Sequence, residues 1–255
     1  MQKHFFLTTL FFLTSCASYI HTPQNRMISP ETQGKFLSGS LDVRLAATKQ
    51  DEWSFTGNDR KKPFDGEREV YKISGLLDLG LVNRLDLIYM DYLSGSTVGI
   101  IGLKVQLLGK SRAEAKKGNF SLSLFAGFGS NEHTFDTSDN DFKNISTNVD
   151  KLDYEVEHDD IGLILGYRWA DKFLQYANVY YFHEDIRGKV TTDNNVLNRA
   201  SFRDSQNGLI YSTGGVFDLS ANWFLKADYS HMTSKWSSHR GSTSNALNGG
   251  IGIYW

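Results

Sequence analysis

Three short stretches bring acidic and imidazole side chains close together along the chain. Asp159 and Asp160 are adjacent. His183-Glu184-Asp185 gathers one imidazole and two carboxylates. Asp228 lies three residues before His231, and His231-Met232-Thr233 adds a hydroxyl two residues after the imidazole. Such groups activate water when a carboxylate orients an imidazole and the imidazole takes the proton, provided that they face one another. On a strand, successive side chains point to opposite faces, so Asp159 and Asp160 diverge, and so do Asp228 and His231 at their odd spacing. No catalytic set is therefore expected; Asp228, His231 and His183 are the positions nearest to one. The stretch from Asp136 to Asp160 is acid-rich but lacks the ligand spacing and the glycine of a calcium loop, and reads as a solvated face. There is no zinc motif, no nucleotide-binding glycine loop and no nucleophile elbow, so neither a metal nor a cofactor is expected.

The elements that carry these residues read as strands. Period-two alternation recurs along the chain, and no helical period is sustained. Lys35 to Thr48 sets Leu37, Leu41, Val43 and Leu45 against Ser38, Asp42 and Arg44. Glu69 to Leu81 sets Ile73, Leu77 and Leu79 against Lys72, Ser74 and Asp78. Leu85 to Leu93 follows, with faces less cleanly split, and then Val98 to Leu108. Further strands are centred on Phe120–Phe128, Ile161–Trp169, Phe173–Asp185, Leu209–Leu219, Trp223–Tyr229 and Leu247–Trp255. The aromatic seventh segment, Phe173 to Asp185, resists assignment of its faces. The count is ten, with eight or twelve as neighbours.

The connections alternate in length. Asn83-Arg84, Ala170-Asp171-Lys172 and Ser220-Ala221-Asn222 are short, whereas 49–68, 130–160, 186–206 and 234–246 are long and polar. Ser94-Gly95-Ser96 is a short exception on the long side. Mean hydropathy is only −0.37, and no apolar run can cross a bilayer as a helix. Alternating lipid-facing and lumen-facing residues give that value naturally, because their hydropathies cancel in any window. A spanning sheet must also close, since no backbone group can stay unpaired in hydrocarbon. The fold class expected is all-β: a closed antiparallel transmembrane β-barrel of residues 35–255.

The two ends of the chain agree. Asn248-Gly249-Gly250-Ile251-Gly252-Ile253-Tyr254-Trp255 places Asn248, Gly250, Ile253 and the terminal Trp255 at the spacing polar, glycine, apolar, aromatic. This resembles the last-strand signal of Gram-negative outer-membrane β-barrels, which the barrel assembly machinery reads. Lys3 and His4 precede a short apolar run, Phe5 to Leu13, followed by Leu13-Thr14-Ser15-Cys16. The run reads as an export signal, and its end resembles a lipobox, in which Cys16 would be lipidated after cleavage of residues 1–15. Residues 16–34 then read as a polar linker. Cys16 has no disulfide partner, being the single cysteine of the chain. These resemblances imply the cell outer membrane, with both termini in the periplasm.

For function, Asp42, Arg44, Lys72, Asp78, Lys104, Arg168, Asp218, Lys226 and Asp228 all fall on the inferred lumen face. They are expected to pair across a narrow barrel, which gives either a plugged core or a thin polar pore. Omptin proteases, also ten-stranded, need an Asp pair facing an Asp–His pair at the outer rim. Barrel lipid A deacylases use a His-x-Ser pair with a Glu, where this chain has Thr233. The reading favoured is a structural or surface-recognition barrel acting through long outer loops; a pore for ions or small solutes and a rim-site hydrolase are the alternatives. Partners expected are outer-membrane lipid and lipopolysaccharide, whose phosphates the acidic loop could approach through bridging divalent cations. A formal charge of −2 gives no footprint for nucleic acid.

Overall fold

The computed structural model describes residues 26–56, 59–92, 98–136, 151–191, 200–237 and 241–255. They form ten antiparallel strands: β1 Gly39–Thr56, β2 Asp59–Val82, β3 Leu85–Tyr92, β4 Ile100–Leu108, β5 Phe120–Asp136, β6 Lys151–Ala170, β7 Phe173–Thr191, β8 Ala200–Asp218, β9 Trp223–Trp236 and β10 Gly241–Tyr254. Each strand pairs with its sequence neighbours, and β1 pairs with β10, so the sheet is a closed barrel. The seam runs from Ser40 opposite Tyr254 to Thr48 opposite Ala246. Closure leaves no edge, as hydrocarbon demands.

The alternation maps onto inside and outside as its period requires. Leu41, Val43, Leu45, Ile101, Leu103, Val105, Leu163, Leu165, Leu225 and Ile251 are exposed on the exterior. Asp42, Arg44, Ser74, Asp78, Lys104, Ser121 and Ser123 are buried inside. β7 resists sequence reading because both its faces are apolar or aromatic. Phe173, Ala177 and Tyr181 point out, while Leu174, Tyr176, Tyr180 and Phe182 are buried in the lumen. These inward rings are admitted by glycines on adjacent strands. A Cβ on Gly162 would stand 2.1 Å from the Tyr180 ring, and one on Gly208 would stand 2.4 Å from Phe182.

The strands are longer than the sequence alternation indicates. Residues 49–56 and 59–68 continue β1 and β2, residues 130–136 and 151–160 continue β5 and β6, and residues 186–191 and 200–206 continue β7 and β8. The long connections expected there are therefore largely strand; the parts at 57–58, 137–150, 192–199 and 238–240 lie outside the described residues, as does 93–97. The reason is physical. A tilted strand rises about 2.5 Å per residue along the barrel axis, so an apolar band roughly 25 Å tall needs about ten residues. On β6 the exposed apolar residues run from Ile161 to Trp169, and Asp159 and Glu157 beyond them are exposed and charged. The hydrogen-bond ladder continues past the band, but the apolar half of the pattern stops.

Residues 26–34 are not a linker hanging from the barrel. They lie inside it: Arg26, Met27, Ile28, Glu31, Thr32 and Gln33 are all buried. Gly34 makes the reversal into β1 with a φ of +85°, a conformation that side chains other than glycine rarely tolerate. A Cβ there would also strike Ser111 Oγ at 2.2 Å. This leader and the inward aromatics fill the lumen with one mixed core, in which Ile28 packs among Leu76, Ile88, Phe125, Ile164 and Tyr180.

Candidate functional site

The densest polar chemistry of the molecule is the seat of the leader. The order of contacts shows how the chain rises from the end with the short turns. Gln33 N donates to Asp86 Oδ2 at 3.0 Å. Thr32 donates to Gln106 Oε1 through its amide at 3.1 Å and its hydroxyl at 2.7 Å. Glu31 receives Arg168, Nη2 to Oε2 at 2.5 Å and Nε to Oε1 at 3.1 Å. Arg168 also pairs with Asp218 at 3.1 Å. Lys104 Nζ donates to the Glu31 carbonyl at 3.0 Å while holding Asp78 at 2.6 Å and Asp86 at 3.0 Å. The Pro30 carbonyl accepts from Ser123, and the Ile28 carbonyl accepts from Asn178 at 3.3 Å.

Arg26 is the innermost described point of the leader. Its Nε lies 2.6 Å from Asp160 Oδ2, both side chains fully buried. Its Nη2 lies 3.1 Å from His158 Nε2, and its carbonyl accepts from Arg44 at 3.0 Å. The same His158 Nε2 lies 3.4 Å from Asp160 Oδ2, and the other ring nitrogen is Nδ1. That nitrogen faces Glu184 Oε1 at 2.8 Å, and Glu184 in turn receives Gln206. The line Arg26, His158, Glu184, Gln206 is a connected buried network, and burial makes such networks costly to break in part.

Seven of the lumen charges read from the sequence pair with one another. Asp42 holds Arg44 and, at 2.7 Å, Lys226. Asp78 holds Lys104, and Asp218 holds Arg168. Asp228 is buried, accepting from Asn248 Nδ2 at 2.5 Å and from Tyr176 at 3.4 Å.

The hydrolytic candidates are not brought together. Asp160 is buried in the lumen and Asp159 is exposed outside. Asp228 points in, while His231 sits on the exterior against Asn245 Oδ1 at 2.8 Å. His183 is also exterior, against Asn207 Oδ1 at 2.8 Å. Met232, between His231 and Thr233, is buried in the lumen. The structure instead concentrates titratable side chains on His158, Asp160, Glu184, Glu31 and Asp86, of which Asp160 and Glu184 were singled out from the sequence. Their one sequence signal is position: each falls on the lumen register of its strand or in the leader.

The C-terminal residues close the barrel. Asn248 is the buried partner of Asp228, and Gly250 lies where a Cβ would meet the Val43 carbonyl at 2.9 Å. Ile253 pairs with Leu41 across the seam. Trp255 bonds to Gly39 through its backbone at both N and O, and its Nε1 donates to the Leu37 carbonyl at 3.0 Å. Cys16 and the rest of the signal segment lie outside the described residues.

An apolar exterior around a polar, side-chain-filled lumen defines the class: a closed ten-stranded antiparallel barrel with the architecture of outer-membrane proteins. The chain is similar to several solved outer-membrane proteins. Ail, the attachment invasion locus protein of Yersinia pestis, is 11% identical with a TM-score of 0.38, over 86% of this chain and 99% of that one. The outer membrane protease OmpT of Escherichia coli is 11% identical with a TM-score of 0.50, over 85% of this chain and 94% of that one. Neisserial surface protein A is 12% identical with a TM-score of 0.34, over 84% and 96%. Of the three, OmpT alone reaches a TM-score of 0.50, and at 11% identity that likeness is one of fold. No family model matches the chain, and no curated protein matches it.

Proposed function

We propose that the protein is an outer-membrane barrel, sealed by its own leader, with a structural or surface-recognition role. The end with the short turns faces the periplasm, where Trp255 presents the signal that the assembly machinery reads. Cys16 carries a lipid, and the β-extensions above the apolar band, with the loops they bear, form the contact surface toward the outside. The observation that carries this reading is the leader: residues 26–34 occupy the lumen and are tied to it by ion pairs with Asp160 and Arg168.

A pore would require that segment to leave, and a rim hydrolase would require His231 and Asp228 to share a face. The full chain reconstituted in a planar lipid bilayer is expected to give no stepwise conductance. Unitary steps from the intact protein would overturn the sealed reading. Removing the segments at 137–150 and 192–199 is expected to abolish attachment of cells bearing the protein to their target surface while leaving the barrel folded; unchanged attachment would remove the recognition role.

A further inference from the structure

His183 and His231, left without a catalytic partner, belong to two copies of one arrangement on the outer wall. On β7 and β8, Asn207 Oδ1 accepts from the Tyr181 hydroxyl at 2.7 Å and contacts His183 Nδ1 at 2.8 Å. On β9 and β10, Asn245 Oδ1 accepts from the Tyr229 hydroxyl at 2.6 Å and contacts His231 Nδ1 at 2.8 Å. In both, a Tyr-x-His strand faces an Asn on the next strand. The amide oxygen can only accept, so each histidine carries its proton on Nδ1. Each clamp therefore turns the amide N–H2 of its Asn away from the protein; the clamps differ at the imidazole, since His183 Nε2 lies 3.9 Å from Asp185 Oδ1.

The two clamps share a position relative to the apolar band. Tyr181 and Tyr229 are the last exposed apolar residues of their strands, and His183 and His231 are the first polar ones above them. Asn245 follows Leu247 in the same way, and Asn207 follows Leu209. This is the depth of lipid headgroups, where amphipathic rings with a polar tip settle. Lys235 lies in register with Asn207 across β8 and β9; it is exposed and makes no ion pair among the described residues. The neighbouring cations are engaged: Arg203 with Asp185 at 3.1 Å and Arg187 with Glu157 at 3.1 Å. An unpaired ammonium beside amide donors at headgroup depth is complementary to phosphate.

We infer that the two Tyr-His-Asn clamps and Lys235 form a docking face on β7–β10 for the phosphate of an outer-leaflet lipid headgroup. The inference rests on the outer-membrane reading above. The test uses the full chain folded in maltoside detergent, with native mass spectrometry reporting the fraction bound to phosphorylated lipid A or to the same lipid with its phosphates removed. The wild type is expected to prefer the phosphorylated lipid by about tenfold or more, the size of one charge-assisted hydrogen bond. Asn207→Asp keeps the oxygen that Tyr181 and His183 need but sets a negative charge against phosphate. With Lys235→Ala added, the preference is expected to vanish while the barrel still shows a heat-dependent shift on gels. An inserted, heat-modifiable wild type that binds both lipids alike overturns the inference alone, and so does a variant that keeps the preference. A chain that fails to fold into detergent as a barrel overturns the reading beneath it.

Discussion

Glu31 shows how one residue can hold a whole segment. Its carboxylate takes two bonds from Arg168 and a third from Asn119 at 3.0 Å, and its carbonyl takes Lys104. Removing one member of a buried pair leaves the other desolvated without compensation. Glu31→Ala is therefore expected to destabilise the barrel by on the order of 3 kcal/mol, read as a lower urea midpoint in lipid vesicles; retention of Asp218 beside Arg168 keeps the loss from being larger. Glu31→Ala with Arg168→Met is expected to recover part of it, because no orphan charge remains. If the double variant is less stable than the single one, the pair is not what holds the leader. None of this was legible from Glu31 itself, a lone acid in a polar stretch without period. Arg168 was legible as a lumen residue, because the tyrosine and tryptophan that flank it mark the lipid face. Asp159 and Asp160 were legible in the same way: period two alone separates them onto opposite sides of the wall.

At the scale of the strand, the sequence signal and the hydrogen-bond ladder have different lengths. Alternation is visible where lipid enforces an apolar exterior, and it fades where water replaces lipid, so β5 and β6 were legible only over their lower halves. The extended upper halves carry Glu155, Glu157 and Asp159 on the exterior side, a pattern that composition alone assigns to a loop. β7 failed for the opposite reason: its inward rings, seated over glycines of neighbouring strands, make both faces apolar. The glycines give a test with an internal control. Gly162→Ala pushes a methyl into the Tyr180 ring and is expected to cost about 1–3 kcal/mol, the usual range for overpacking. Gly249→Ala points outward into open space and is expected to be neutral or slightly stabilising, since alanine loses less backbone freedom on folding. Equal urea midpoints for the two variants would mean that the lumen has room that the packing of Tyr180 over Gly162 denies.

For the molecule as a whole, closure followed from one constraint, that hydrocarbon tolerates no sheet edge, and the count of ten followed from the alternation, with eight and twelve left beside it. The filling of the barrel did not follow, because a lumen can be satisfied by its own side chains, by water or by a length of chain, and alternation does not distinguish them. The structure uses the chain. Asp86, Gln106, Ser123, Asn178 and Arg44 each spend a hydrogen bond on the leader, so its departure would leave polar groups lining a passage instead of an apolar void. Polar cavities of sufficient size fill with water, whereas apolar ones stay dry. Deleting residues 26–33 while keeping Gly34 and the seam is therefore expected to yield a barrel that still shifts on gels with heating but now conducts ions. A synthetic peptide of sequence RMISPETQ added to one side is expected to close it again, and the same peptide with Glu31 replaced by Lys is expected not to, because it sets a cation against Arg168. If the shortened barrel is folded and electrically silent, the side chains of the wall suffice to seal the lumen, and the leader's role is confined to stability.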